Sequence, residues 1–262
     1  MFSNRNAVTL MIDSGVGGLS VLSLAHQRLP EEDFIFYADA ANAPYGDKTP
    51  GEIRELLHNI LHEHEDRQVK AILLACNTAT SAAAKLLRAE LDIPVIGMEP
   101  ALKPAVLNSD GQIIVMATRL TIREEKFRDL LSRYGAGRDI VPLACPGLMQ
   151  LVEEGPLSEN TEKYIREMLE PYSGTMAAIV LGCTHYVFLR PLLEKNYPHV
   201  RLFDGNDGVV RHLKTVLDEK KITGGTGAVE IRCSLPREDE RNAYLEKSRE
   251  MLAFCSGFYT ME

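Results

Sequence analysis

Short apolar runs that alternate with amphipathic helical patterns constrain this chain more than any other feature. The runs are Val8–Ile12, Phe34–Ala38, Ala71–Ala75, Val95–Met98, Ile113–Ala117, Ile140–Leu143, Ala177–Leu181, Val200–Phe203 and Val229–Cys233. Many are apolar on both faces, the pattern of parallel strands covered by helices on each side. Between them, Thr49 is a candidate N-cap, with Pro50 in the first turn and Glu52 where a capping box wants it. Ile53, Leu56, Leu57, Ile60 and Leu61 then recur at helical spacing. A second helix is expected after Cys76, through Ser81 to Glu90, and a third from Thr121 to Tyr134. The alternation predicts an α/β fold with mainly parallel sheets.

The 262 residues suffice for one large domain or two smaller ones. No low-complexity linker divides them, and GGTG at Gly224–Gly227 reads as a loose turn before the last strand. An internal duplication is more informative. The strand end at Asp13 is followed 63 residues later by the strand end at Cys76, and a strand ending near Thr118 is followed 65 residues later by Cys183. Two similar halves, each presenting one thiol, is the simplest account.

A net charge of −8 argues against nonspecific binding of nucleic acid or anionic membranes, which need a basic surface. It leaves room for a small anionic substrate, because a local site can oppose the global sign. The N-terminal apolar stretch is too short for a signal peptide and runs into Asp13 and a glycine cluster. No apolar run reaches the length of a membrane span. The five cysteines are widely spaced without CxxC, so neither a disulfide framework nor a zinc site is expected, and reduced thiols in the cytoplasm are the natural reading. His58, His62 and His64 lack the acidic base of HExxH and read as an exposed helical face; no metal is expected.

LLACNTATS and IVLGCTHYV each place a cysteine just after an apolar strand, followed by hydroxyl or amide side chains and a helical pattern. Ligands of open α/β sheets bind outside the carboxyl ends of the strands. Free N–H groups of a following helix turn favour anions there, a thiolate included. A cysteine alone is most often a small buried apolar residue, and Cys145, Cys233 and Cys255 take that reading. In IDSGVGGLSVL, Asp13 and Ser14 end a strand, and Gly15, Gly17 and Gly18 are expected to let the backbone turn tightly towards a ligand; the segment matches neither a Walker loop nor GxGxxG. Two matched thiols suit proton transfer at a carbon centre: inversion needs a proton to leave one face and another to arrive on the opposite one. Asp13 and His185 are plausible relays for Cys76 and Cys183. A cysteine hydrolase would leave the second thiol unexplained.

With these residues in view, DSGVGGLSV, PYG at Pro44–Gly46, CNTAT at Cys76–Thr80 and GCTHY at Gly182–Tyr186 resemble, in order and spacing over nearly the whole chain, the signatures of the glutamate racemase family. The resemblance implies two related α/β domains with a pseudo-twofold relation and the active site at their interface. The first would be discontinuous, 1–97 plus 208–262, and the second 98–207. It implies interconversion of L- and D-glutamate without pyridoxal phosphate or any other cofactor, feeding peptidoglycan synthesis in the cytoplasm, and commonly a homodimer. Cys76 would exchange the proton with D-glutamate and Cys183 with L-glutamate, assisted by Asp13 and His185. Asp13, Ser14, Tyr45, Gly46, Asn77, Thr78, Thr184 and His185 would hold the substrate, with Thr118 and Thr121 as further contacts. Glu153 or its neighbour Glu154 would be the family acid near the second cysteine. Val187 stands where the family commonly has proline, and CPGLMQLVEEG is an unusual version of its segment; neither removes a reacting group. Some relatives carry an extra N-terminal segment and need a cell-wall precursor as activator; the short leader here predicts independence of it.

Two other readings stand beside this one. A racemase for aspartate or another amino acid is the nearest, although GCTHY favours glutamate. A catalytically idle amino-acid-binding protein is the alternative from another class, and it has no need of two matched thiols.

Overall fold

The computed structural model describes residues 7–259; residues 1–6, most of the leader on which the activator expectation rests, lie outside them. The chain divides into two compact units, one formed up to Met98 and again from Asn206, the other Glu99–Gly205.

The first unit is built on β1 (Val8–Asp13), β2 (Phe34–Ala38), β3 (Val69–Leu74), β4 (Val95–Gly97) and β9 (Val229–Cys233). They form one parallel sheet in the order β4-β3-β1-β2-β9. Every residue of β1 and β2 is buried, which is why their sequences are continuous apolar runs. The helices are α1 (Leu19–Arg28), α2 (Pro50–His62), α3 (Asn77–Glu90), α10 (Asn206–Lys220) and α11 (Glu238–Cys255). α1 packs on α10 and α11, and α2 on α3. α2 begins as its sequence requires: Thr49 Oγ1 accepts from Glu52 N–H, and the Glu52 carboxylate accepts from Thr49 N–H at 2.7 Å.

The second unit carries β5 (Gln112–Ala117), β6 (Ile140–Ala144), β7 (Met176–Leu181) and β8 (Arg201–Asp204), again all parallel, in the order β6-β5-β7-β8. Its helices are α4 (Leu102–Asn108), α5 (Arg119–Arg123), α6 (Glu125–Tyr134), α7 (Leu148–Glu154), α8 (Glu159–Leu169) and α9 (Arg190–Asn196). Leu102, Val106, Ile113, Val115, Phe127 and Val180 belong to one buried cluster that joins α4 and α6 to the sheet. Pro142, which cannot donate to a ladder, sits on the edge strand β6.

The duplication legible in the sequence is a duplication of topology. Matching β1–β4 to β5–β8 turns β4-β3-β1-β2 into β8-β7-β5-β6, the observed order. Even the irregularities agree: β1 slips register against β3 at Val8/Thr9, and β5 against β7 at Gln112/Ile113. The register also sharpens the correspondence. Ile12 lies opposite Leu74 as Met116 lies opposite Leu181, so Cys76 matches Cys183, but Thr118 matches Ser14 and the counterpart of Asp13 is Ala117.

Three local expectations need correction. The helix expected from Thr121 to Tyr134 is two helices broken at Glu124, whose extended backbone (ψ 144°) starts α6 afresh; Thr118 caps the first of them, and the apolar spacing that runs from Leu120 to Phe127 hides the break. His64 is not on an exposed face. α2 ends at His62, and the turn that follows buries His64 with its ring edge-on to Tyr37 and its Nδ1 2.7 Å from Ile60 O. The GGTG turn is not loose either. Asp33 Oδ1 accepts from Thr226 N–H at 2.7 Å and Ala228 N–H at 2.8 Å, and Lys70 Nζ donates to Gly224 O at 2.7 Å.

Candidate active site

In the first unit the sheet delivers three segments to neighbouring strand ends. β1 ends on Asp13, which is fully buried, and its Oδ1 accepts from Gly15 N–H at 3.0 Å. The Ser14 hydroxyl lies 3.5 Å from Asp13 Oδ1 and 3.9 Å from Cys76 Sγ. The glycines after it do not work through left-handed backbone: Gly15 is extended (φ −165°) and Gly18 right-handed (φ −65°). Gly18 is required by packing, since a Cβ there would stand 2.7 Å from the Phe36 ring and 2.9 Å from Asp13 Cβ. Cys76 is the N-cap of α3, and its sulfur accepts from Ala79 N–H at 3.4 Å. This puts the sulfur at the positive end of a 14-residue helix, where a thiolate is a better acceptor than a thiol. Asn77 and Thr78, in the first turn of α3, are buried beside it.

Tyr45 and Gly46 lie in a short 3-10 turn after β2. Tyr45 is buried, and its hydroxyl donates to Asp39 Oδ2 at 2.6 Å. Burial first, and then the Asp39 carboxylate, push the phenol well above its ordinary range, with Cys76 and Asp13 adding to the shift. Asp39 was not singled out in the sequence; the one available signal was an aspartate directly after an apolar strand.

In the second unit Cys183 follows β7 as Cys76 follows β3, but its setting differs. It is followed by a 3-10 segment, Thr184–Leu189, and its side chain caps nothing, so the expected helix-terminus stabilisation does not apply to this thiol. Cys183 Sγ lies instead 3.9 Å from His185 Nδ1, and His185 Nε2 lies 3.0 Å from Glu153 Oε1 at the end of α7. Burial pulls the His185 imidazolium down, but hydrogen bonds and charge from Cys183 and Glu153 outweigh it and raise the pKa to about 10. Glu153, not the exposed Glu154, is thus the acid that reaches the second cysteine's histidine. Gly182 lets this strand end approach its neighbour: Gly182 N–H donates to Met116 O at 2.7 Å, and a Cβ would meet the same oxygen at 2.7 Å.

Thr118 caps α5, accepting from Thr121 N–H at 3.1 Å, and its hydroxyl donates to the buried Thr121 hydroxyl at 2.9 Å. Thr184, next to Cys183, is buried. The remaining cysteines behave as the sequence suggested: Cys145, Cys233 and Cys255 are buried, and burial raises the thiol of each. All five cysteines are free. Among the described residues, no group of three His, Cys, Asp or Glu side chains could hold a metal ion, and no helix is long and apolar enough to cross a membrane.

Each of the two topologically matched units carries a thiol two residues beyond the end of an interior strand, Cys76 after β3 and Cys183 after β7. The chain belongs to the Asp/Glu/Hydantoin racemase family, whose model matches residues 20–213. Among its relatives, a glutamate racemase of Clostridium perfringens (strain 13 / Type A) is 44% identical over 256 residues, covering 95% of this chain and 97% of its own. Another glutamate racemase, from Clostridium acetobutylicum, is 47% identical over 224 residues, covering 84% and 88%. The crystal structure of Escherichia coli glutamate racemase in complex with L-glutamate and the activator UDP-MurNAc-ala is similar with a TM-score of 0.82 at 26% identity, over 92% of this chain and 95% of that one. The racemase of Thermus thermophilus in complex with beta-chloro-D-alanine matches with a TM-score of 0.77 at 30% identity, over 94% of each.

Proposed function

We propose that this chain interconverts L-glutamate and D-glutamate by two-base proton transfer at Cα, without a cofactor, and so supplies D-glutamate for peptidoglycan. The observation that carries the reading is that Cys76 and Cys183 occupy the same place in two units of the same topology. In the D-to-L direction the Cys76 thiolate removes the α-proton, and the Cys183 thiol delivers its own proton to the other face. The two sulfurs end with their protonation states exchanged, and the reverse reaction starts from that state. The α-proton is weakly acidic, so the developing charge on the substrate carboxylate needs fixed donors. Asn77, Thr78 and Thr184, together with Ser14, Tyr45, Gly46, Thr118 and Thr121, are assigned to hold the substrate. Asp13 serves Cys76, and Glu153 with His185 serves Cys183. The division into 1–97 plus 208–262 and 98–207, a homodimeric state and a cytoplasmic location belong to the same reading; five free cysteines support a reducing compartment.

The test is circular dichroism of D- and L-glutamate incubated with purified protein and no added cofactor, beside Cys76→Ser and Cys183→Ser. Racemisation of both enantiomers by the wild type, with severe impairment in each variant, is the expected result. Unchanged optical activity for glutamate and then for aspartate would replace the enzyme by an amino-acid-binding protein.

A further inference from the structure

After Cys183, two neighbouring side chains reach opposite ends of α7. His185 Nε2 lies 3.0 Å from Glu153 Oε1, near the end of the helix, and the Tyr186 hydroxyl donates to Cys145 O at 3.2 Å, ahead of its start. The helix has seven residues and is roughly 10 Å long. A helix of this length has little stability of its own, so its direction is set by what holds its ends. No side chain caps its start, and Gly147 enters it through left-handed backbone (φ 79°). α8 holds it as well: Tyr164 Oη donates to Pro146 O at 2.6 Å and Thr161 Oγ1 to Gly155 O at 2.7 Å. Tyr186 is 1% exposed, and burial first, then Cys183, push its phenol far above the ordinary 10. Its hydroxyl is therefore a fixed donor.

Resting on the glutamate reading, we propose that Tyr186 is a positioning residue for proton transfer at Cys183: its hydroxyl fixes the start of α7 so that the end of the helix holds Glu153 against His185. With both contacts made, α7 and the segment from Cys183 to Tyr186 close a ring. Without the first contact α7 pivots about the second, and a hydrogen bond weakens steeply as its angle opens. The matching position in the first unit is Ala79, three residues after Cys76, and it works differently. Ala79 N–H donates to the Cys76 sulfur, whereas Tyr186 N–H donates to Cys183 O at 3.0 Å. The second unit thus gives its thiol a strapped acid and histidine where the first gives a helix end.

The test reads His185 itself. Cys183 and Glu153 are the titratable groups that act on it, and Tyr186→Phe leaves both in place while removing one hydroxyl. The His185 resonance, assigned against His185→Gln, is followed by NMR titration of the full-length protein. In wild type its midpoint is expected at about 10. In Tyr186→Phe the midpoint should fall by roughly one pH unit, a tenfold weakening of the charged form. The kcat for glutamate should fall about tenfold with KM within about twofold of wild type. Glu153→Gln should lower the midpoint further, and adding Tyr186→Phe to it should change nothing more, because the hydroxyl acts through Glu153. An unchanged midpoint in Tyr186→Phe, or a further fall in the double variant, would overturn the proposal. If Tyr186→Phe does not fold, Gly147→Ala decides by the same titration. That position is exposed, nothing lies within 4 Å of an added methyl, and its left-handed backbone puts the strain on the same turn. A wild type that leaves glutamate optically active defeats the racemase reading by that result alone, and the His185 midpoint still decides whether Tyr186 positions Glu153.

Discussion

His185 is buried between a thiol and a carboxylate, and its titration ties stability to pH. Its folded pKa of about 10 stands above the ordinary 6.5. The contribution of its protonated form is therefore fully present below about pH 6.5 and is lost as pH rises through about 10. Glu153→Gln removes one of its two partners. The stability gap between wild type and this variant, from urea unfolding at a series of pH values, should be widest near neutral and mildly acidic pH and close in strong alkali. A gap that ignores pH would mean that the imidazole is uncharged. At this scale the sequence was legible where a side chain's place follows from its immediate neighbours: Cys76 and Cys183 each follow a strand, and His185 lies beside Cys183. It was silent on Asp39, whose meaning comes from β2 carrying it to the end of β1, and it left Glu153 and Glu154 undecided because only the direction of α7 separates them.

The strands were legible because burial on both faces leaves few polar positions to confuse the pattern, Thr9 in β1 and Lys70 in β3 being exceptions; β2 is the clearest case. Breaks inside helices were not, because Leu120 and Phe127, seven residues apart, keep a helical spacing across Glu124. The 3-10 segment after Cys183 was likewise read as an ordinary helix start, since THYVFL carries no signal against one. Two substitutions test elements. Gly182→Ala drives a Cβ into Met116 O, 2.7 Å away, and should cost about 1–3 kcal/mol in chemical denaturation. Loss of racemase activity should accompany it, because the same residue sets the position of Cys183. Thr49→Ala removes the cap of α2 and should cost about 1 kcal/mol, leaving activity intact. A normal activity in Gly182→Ala, or a loss of activity in Thr49→Ala, would contradict the placement of the site.

At the scale of the whole molecule, the first unit must be closed from two distant parts of the chain. Asp33, ahead of β2, does much of this by accepting hydrogen bonds from Thr226 and Ala228, so that β9 is led onto the edge of the sheet. Burial pushes the Asp33 carboxyl upward, but the N–H donors of Ala228 and Thr226 prevail and hold it below the ordinary 3.8. Its contribution is thus present above about pH 3.8 and is lost as pH falls through the lower folded value. Asp33→Ala, which takes the carboxylate from the N–H groups of Thr226 and Ala228, should cost about 1.5–3 kcal/mol at neutral pH, with the deficit shrinking in acid below pH 3.8. A deficit as large at pH 2.5 (roughly one unit past the reference carboxyl value) would assign the loss to packing instead.

The unlike surroundings of the two thiols carry a thermodynamic consequence. One sulfur caps an α-helix, and the other faces an imidazole backed by a carboxylate. Mirror-image amino acids have equal free energies in water, so the equilibrium constant of the proposed reaction is unity whatever the protein does. The Haldane relation then forces kcat/KM to be the same for both enantiomers. The asymmetry of the flanks can therefore surface only as paired differences: the enantiomer that is bound more tightly must be turned over more slowly, in the same ratio and at every pH.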